Sequence, residues 1–93
     1  VKVRWTSEAE QDRDLIWEFI AIDDPGAAVR MDELFSDAVA KLNDFPEMGS
    51  AGKIPGTREL IPHESYRIVY EIVDDVIWIL VVVHTARQWP PVI

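Results

Sequence analysis

The sequence predicts an α+β fold in which an N-terminal strand leads into an antiparallel two-helix hairpin packed on an antiparallel β-sheet, in the order β-α-α-β-β-β. Three observations predict it. Apolar residues in the first half recur at spacings of three and four, those after Thr57 alternate or run β-branched, and glycine and proline cluster between the two regimes. With 93 residues, these elements suffice for one core, so 1–93 reads as a single domain.

Val1, Val3 and Trp5 alternate with Lys2 and Arg4, the period of a half-buried strand. Ser7-Glu8-Ala9-Glu10 then has the capping-box form, a hydroxyl followed three residues later by a carboxylate, and predicts a helix start. Its apolar stripe is read through Ala9, Ile16, Phe19 and Ile20, supported by Leu15, with Asp12, Arg13, Asp14 and Glu18 in water and an end near Ile22 or Asp23. Asp24-Pro25 announces the second helix, an N-cap acid followed by a proline whose missing N–H costs nothing in the first turn. There Ala27, Ala28, Met31, Leu34, Phe35, Ala38, Val39 and Leu42 make one broad apolar face, and Phe45-Pro46 ends it. Glu47 to Gly56, punctuated by glycine and proline, reads as a loop. Arg58–Ile61, Tyr66–Val73 and Val76–His84 read as three strands, with Asp74-Asp75 as the turn between the last two. Beyond His84 the prolines Pro90 and Pro91 predict an extended tail.

Composition excludes several classes of function. The formal net charge is -8, so the protein as a whole is repelled by free RNA or DNA. The acid is unevenly placed: residues 1–50 hold five basic against twelve acidic side chains, and residues 51–93 hold four against five. An anionic ligand would therefore be met by the sheet half, which also carries both histidines. With no cysteine there is no disulfide and no thiolate metal site. No apolar run reaches membrane-spanning length and no signal-peptide pattern opens the chain, so a cytoplasmic protein without membrane contact is expected.

Few residues are placed to carry chemistry. Arg58 lies in a short strand after a glycine turn, Arg67 in the next strand, and Arg87 just beyond the last. Antiparallel neighbours with adjacent ends would bring these guanidiniums to one edge, where planar donors hold phosphate or carboxylate oxygens. The alternative gives each a local acid such as Glu59, Glu64 or Glu71. His84, at the end of an apolar strand, suits general acid–base work near neutral pH, or else simple packing; His63 beside Pro62 has a weaker claim. Tyr66 and Tyr70 share one strand face, read as core, with Arg67 on the other. There is no glycine-rich phosphate loop, nucleophile elbow or metal-ligand spacing, so no cofactor and no metal is expected.

Trp5-Thr6 with Ala9, Asp24-Pro25 with Ala27-Ala28, Pro46 with Gly49, Gly56-Thr57-Arg58-Glu59-Leu60, Tyr66-Arg67-Ile68-Val69-Tyr70, and His84 with Arg87-Gln88-Trp89-Pro90 together resemble the RelE/ParE superfamily of toxins. The likeness extends over almost the entire chain. It implies the same fold, two N-terminal helices on an antiparallel sheet. It also implies a cognate antitoxin encoded beside the toxin, whose C-terminal segment wraps it, with operator DNA touched only through that antitoxin, as in plasmid-stabilisation modules.

Two activities come with the resemblance. RelE-type members cut mRNA in the ribosomal A site, where the 2′-hydroxyl attacks the adjacent phosphate and basic side chains stabilise the developing charge; ParE-type members poison DNA gyrase. Matching the Tyr66–Tyr70 strand to the RelE pattern places Arg67 and Arg87 at two catalytic arginines and Arg58 at a basic position one strand earlier. Ile93 occupies the place of a catalytic tyrosine, Leu60 that of a second basic residue, and the chain is acidic. These departures favour the gyrase-directed, non-catalytic reading, in which Arg67, Arg87, His84 and Arg58 are target-binding candidates. The alternative is a metal-independent, ribosome-dependent mRNA interferase in which the same four are catalytic and His84 stands in for the tyrosine. A third reading is an inactive homologue kept for antitoxin binding. The expectation common to the first two is that Arg67, Arg87 and His84 share one functional edge of the sheet, and that either arginine can be removed without unfolding the protein.

Overall fold

The computed structural model describes residues 1–91, so the tail position Ile93 lies outside the described residues. In chain order the elements are β1 (Lys2–Trp5), α1 (Ser7–Asp23), α2 (Pro25–Ala40), a 3-10 turn (Lys41–Asn43), β2 (Ser50–Ala51), β3 (Thr57–His63), β4 (Tyr66–Val73) and β5 (Val76–His84). They form one five-stranded sheet in the order β1-β5-β4-β3-β2. The helical hairpin lies on one face of it, and the α+β class read from the pattern is the fold observed.

Several details depart from the sequence reading. β2 to β5 are antiparallel, but β1 joins the edge of β5 in parallel, from Lys2 opposite Val76 to Trp5 opposite Ile79. A parallel pair needs a long crossover, and here both helices and three strands supply it. β2, only two residues long, sits in the stretch read as loop and is too short to show a period. The α1 cap is Thr6, not Ser7: the Thr6 hydroxyl accepts the Ala9 N–H at 3.1 Å and donates to the Leu80 carbonyl at 2.9 Å, while Ser7 reaches only Glu8. Thr6 still continues the β1 ladder through its N–H to Ile79, so its backbone is extended and its hydroxyl is free to serve the first turn. At α2 the expected Asp24 cap is present, accepting the Ala27 N–H at 3.1 Å. That helix ends at Ala40, and its last turn tightens into the 3-10 form before Phe45-Pro46 is reached.

The core gathers Phe35, Val39 and Leu42 from the second half of the hairpin, Ala9 from α1, and Tyr66, Ile68, Tyr70, Ile77, Ile79 and Val82 from the sheet. α1 contributes less than its stripe suggested. Ala9, Asp12, Arg13, Ile16 and Ile20 face inward, whereas Leu15, Phe19 and Ile22 point to water at exposures of 55, 73 and 81%. Asp12 and Arg13, read as solvated, are half-buried. The Arg13 guanidinium lies over the Trp5 ring at 4.5 Å and pairs with Asp32 at 2.8 Å, tying β1, α1 and α2 together.

A bulge in β5 decides where its end points. Val69 pairs with Val81 but Tyr70 pairs with Ile79, leaving Leu80 as the extra residue. Side chains alternate along a strand, so in a regular strand that included Leu80, Ile77 and Ile79 would face one way and Val82 the other. With it, all three are core residues. The same shift turns His84 to the helix side, opposite Tyr66.

Candidate functional site

The end of β5 and the flank of α1 enclose a groove of about 330 Å³ lined by Asp12, Leu15, Ile16, Phe19, Tyr66, Val82, His84 and Arg87. Its existence follows from the shortness of β1. That strand stops at Trp5 opposite Ile79, so among the described residues the remaining edge of β5 has no strand beside it. Asp12 takes the strand's place there, its carboxylate accepting the Val82 N–H at 2.9 Å. Burial raises the Asp12 carboxyl above its ordinary 3.8; the Val82 N–H and the positive Arg87 work against that rise, and Glu8 adds to it.

His84 stands exposed at the mouth of the groove. Its ring meets Tyr66 edge-on, with centroids 5.2 Å apart, and Tyr66 in turn meets Phe35 at 5.6 Å. The His84 Nδ1 accepts the Ala86 N–H at 3.0 Å, which leaves the proton of the neutral ring on Nε2. The Arg87 N–H closes a turn onto the His84 carbonyl at 2.9 Å, folding Arg87 back beside the histidine. Burial pushes the Tyr66 hydroxyl upward, so Tyr66 is a neutral wall at physiological pH. The groove thus offers one imidazole, one guanidinium and one carboxylate around an apolar floor.

Arg67 and Arg58 are elsewhere. The two-residue period of β4 puts Tyr66, Ile68 and Tyr70 under the helices and Arg67 on the opposite face of the sheet. There Arg67 pairs with Glu59 at 3.0 Å, the two side chains only 13 and 9% exposed, and the second Glu59 oxygen accepts the Lys53 N–H at 3.2 Å. Arg58 holds the chain before β2, donating to the carbonyls of Glu47 at 3.1 Å and Gly49 at 2.8 Å. Of the four residues singled out in the sequence, the fold brings His84 and Arg87 together and separates Arg67 and Arg58 from them. Asp12 and Tyr66 were not singled out as site residues. For Asp12 a signal existed: it lies three residues from Ala9 and four before Ile16, a carboxylate on the inward face of its helix. Among the described residues no three metal-ligating side chains gather, and no helix is long and apolar enough to cross a membrane.

Residues 3–89 match the family described as the ParE toxin of type II toxin–antitoxin systems, parDE. The chain is 41% identical over 93 residues to the predicted toxin Y4kP of Sinorhizobium fredii, covering 99% of this chain and 96% of that protein. Among solved structures, the chromosomal ParDE system from P. aeruginosa superposes with a TM-score of 0.79 at 20% identity, over 90% of this chain and 95% of that one. The YoeB/ParE toxin from Agrobacterium tumefaciens gives 0.65 at 20% identity, over 90 and 98% of the two chains. The isolated E. coli RelE toxin gives 0.62 at 18% identity, over 95 and 87%. At these identities the three structures share a fold with this chain, and a fold alone does not assign an activity.

Proposed function

The chain belongs to the ParE toxin family of type II toxin–antitoxin systems, and from that premise we propose that it arrests growth as a non-catalytic poison of DNA gyrase, acting in the cytoplasm and held in check by a cognate antitoxin. The observation that carries the non-catalytic reading is the dispersal of the arginines. Cutting RNA by attack of a 2′-hydroxyl needs several cations converging on one phosphate as charge develops. Here Arg58 is committed to loop carbonyls, Arg67 to Glu59 across the sheet, and Arg87 shares its groove with the Asp12 carboxylate. A surface carrying -8 overall adds repulsion from ribosomal RNA.

The antitoxin seat that fits best is the groove and the exposed stripe of Leu15, Phe19 and Ile22 beside it. Three apolar side chains four and three residues apart on an acidic helix suit an amphipathic basic segment, whose charges would also favour association. Masking this surface covers His84 and Arg87 as well.

One observation favours the mRNA-cleaving alternative: His84 carries its Nε2 proton beside Arg87, an acid and a cation within one groove. Expression from a tight promoter, with and without the neighbouring gene, tests the toxin reading, and mapping transcript 5′ ends during arrest separates the targets. Gyrase poisoning gives a DNA-damage response and cleaved DNA complexes before translation fails. Ribosome-dependent cuts within codons would overturn the proposal.

A further inference from the structure

At the far end of β4 from His84, Phe45, Met48 and Ile72 make a separate apolar surface, 65, 49 and 38% exposed, completed by Asp44, Pro46 and Glu47. From Tyr66 at the groove to Ile72 the strand spans about 20 Å at its usual rise. A solitary exposed apolar side chain needs no explanation. These residues differ, because the chain that carries Phe45 and Met48 is pinned. The buried Tyr70 hydroxyl donates to the Pro46 carbonyl at 2.8 Å and accepts the Gly49 N–H at 3.0 Å, and Arg58 holds the carbonyls of Glu47 and Gly49. A Cβ on Gly49 would come within 2.7 Å of that hydroxyl, so glycine is what allows the approach. A buried tyrosine and an arginine thus order a segment whose largest side chains stay in water. Ordering without burial is unfavourable by itself; it lowers the entropy cost of a later contact.

The rim indicates the partner's chemistry. Asp44 and Glu47 flank the apolar residues and Asp74 follows Ile72 in the hairpin turn. Of the nearby cations, Arg58 is turned onto the loop carbonyls and the N-terminal amine holds Asp75 at 3.4 Å, which leaves Lys41 beside the exposed carboxylates. A second copy of the chain would bring the same carboxylates face to face, and nucleic acid would be repelled. The stripe on α1 already offers a larger apolar seat at the opposite end of the sheet. Two separated surfaces match the two partners a toxin must have, its antitoxin and its target. We infer that the Phe45–Met48 surface docks the toxin's protein target, through a face on which lysine or arginine side chains surround an apolar socket that receives Phe45 and Met48.

The inference rests on the toxin reading above. The test expresses the full chain as wild type, as the double variant Phe45→Ser/Met48→Ser, and as the rim variant Asp44→Lys/Glu47→Lys, whose changes touch no buried group. Growth arrest is read at matched soluble level, and co-purification with the tagged antitoxin is read alongside. Both variants are expected to need about ten-fold more protein or greater for the same arrest, the loss usual for a docking anchor, while retaining the antitoxin. Full toxicity in either variant overturns the inference, and so does loss of antitoxin binding, which would make this surface part of the antitoxin's seat. A wild type that leaves growth unchanged overturns the toxin reading and the inference with it, whereas a toxic wild type beside equally toxic variants overturns the inference alone.

Discussion

Arg67 and Arg87 look alike in the sequence and differ in what removing them does. Arg67 is almost enclosed with Glu59, so Arg67→Ala leaves a carboxylate unpaired in a poorly hydrated place. Breaking such a pair costs roughly 3 kcal/mol. Arg67→Ala is therefore expected to lower the thermal midpoint clearly, and Arg67→Met combined with Glu59→Leu to recover most of the loss. Arg87 is exposed, and its alanine variant should keep stability within about 0.5 kcal/mol while weakening toxicity if the groove is functional. Thermal unfolding of the three variants beside growth arrest checks both; an Arg67→Ala chain as stable as wild type would refute the structural role. Asp12 gives a pH signature at the same scale. Its carboxyl is raised above 3.8, chiefly by burial, so the folded chain holds this proton more tightly than the unfolded chain. Asp12's contribution to stability is thus greatest below 3.8 and declines as pH rises from there through the raised value. Asp12→Asn keeps an acceptor for the Val82 N–H and should remove that part of the pH slope, as urea unfolding at several pH values will measure.

Among the elements, β5 carries the most consequence, because a single extra residue sets the facing of both its halves. Deleting Leu80 would leave a regular strand in which Ile77, Ile79, Val82 and His84 all keep the helix side, whereas inserting one residue after Val81 would turn Val82 and His84 outward. Exposing even one buried isoleucine or valine costs about 1.5–3 kcal/mol. The deletion should also remove the carbonyl that receives the Thr6 hydroxyl, loosening the start of α1. The insertion is expected to give a chain that unfolds at much lower denaturant than any surface variant or loses the tyrosine–histidine contact, and the deletion one that keeps that contact. A native-like unfolding midpoint with the Tyr66–His84 contact retained by NMR in the insertion variant would contradict this account of the bulge. α1 shows the complementary situation, with a length set by Thr6 and Asp24 but an inward face that is partly polar. Its outward Leu15, Phe19 and Ile22 are free for a partner because the core does not need them.

Across the whole molecule, charge and apolar surface are segregated in a way that suits regulation by protein partners. The acid is concentrated on the helices, and the sheet half is nearly neutral and carries Arg58, Arg67, His84 and Arg87. How much of this the sequence determined by itself can be traced to periodicity. β4 and β5 were legible to the residue because hydrophobic alternation and the Asp74-Asp75 turn are local, and so was the start of α2, where Asp24 and Pro25 act on their own backbone. That Arg67 lies opposite Tyr66 and Tyr70 was equally legible. The meeting of His84 with Arg87 was visible only as closeness in the chain. Tertiary structure alone decided the parallel pairing of β1, the bulge at Leu80, the partnership of Arg67 with Glu59 and the substitution of Asp12 for a missing strand. Each of these is settled between segments distant in sequence, by which strand edge is left unpaired and which face the core claims, and the alternation of a single strand carries no information about its neighbours' register.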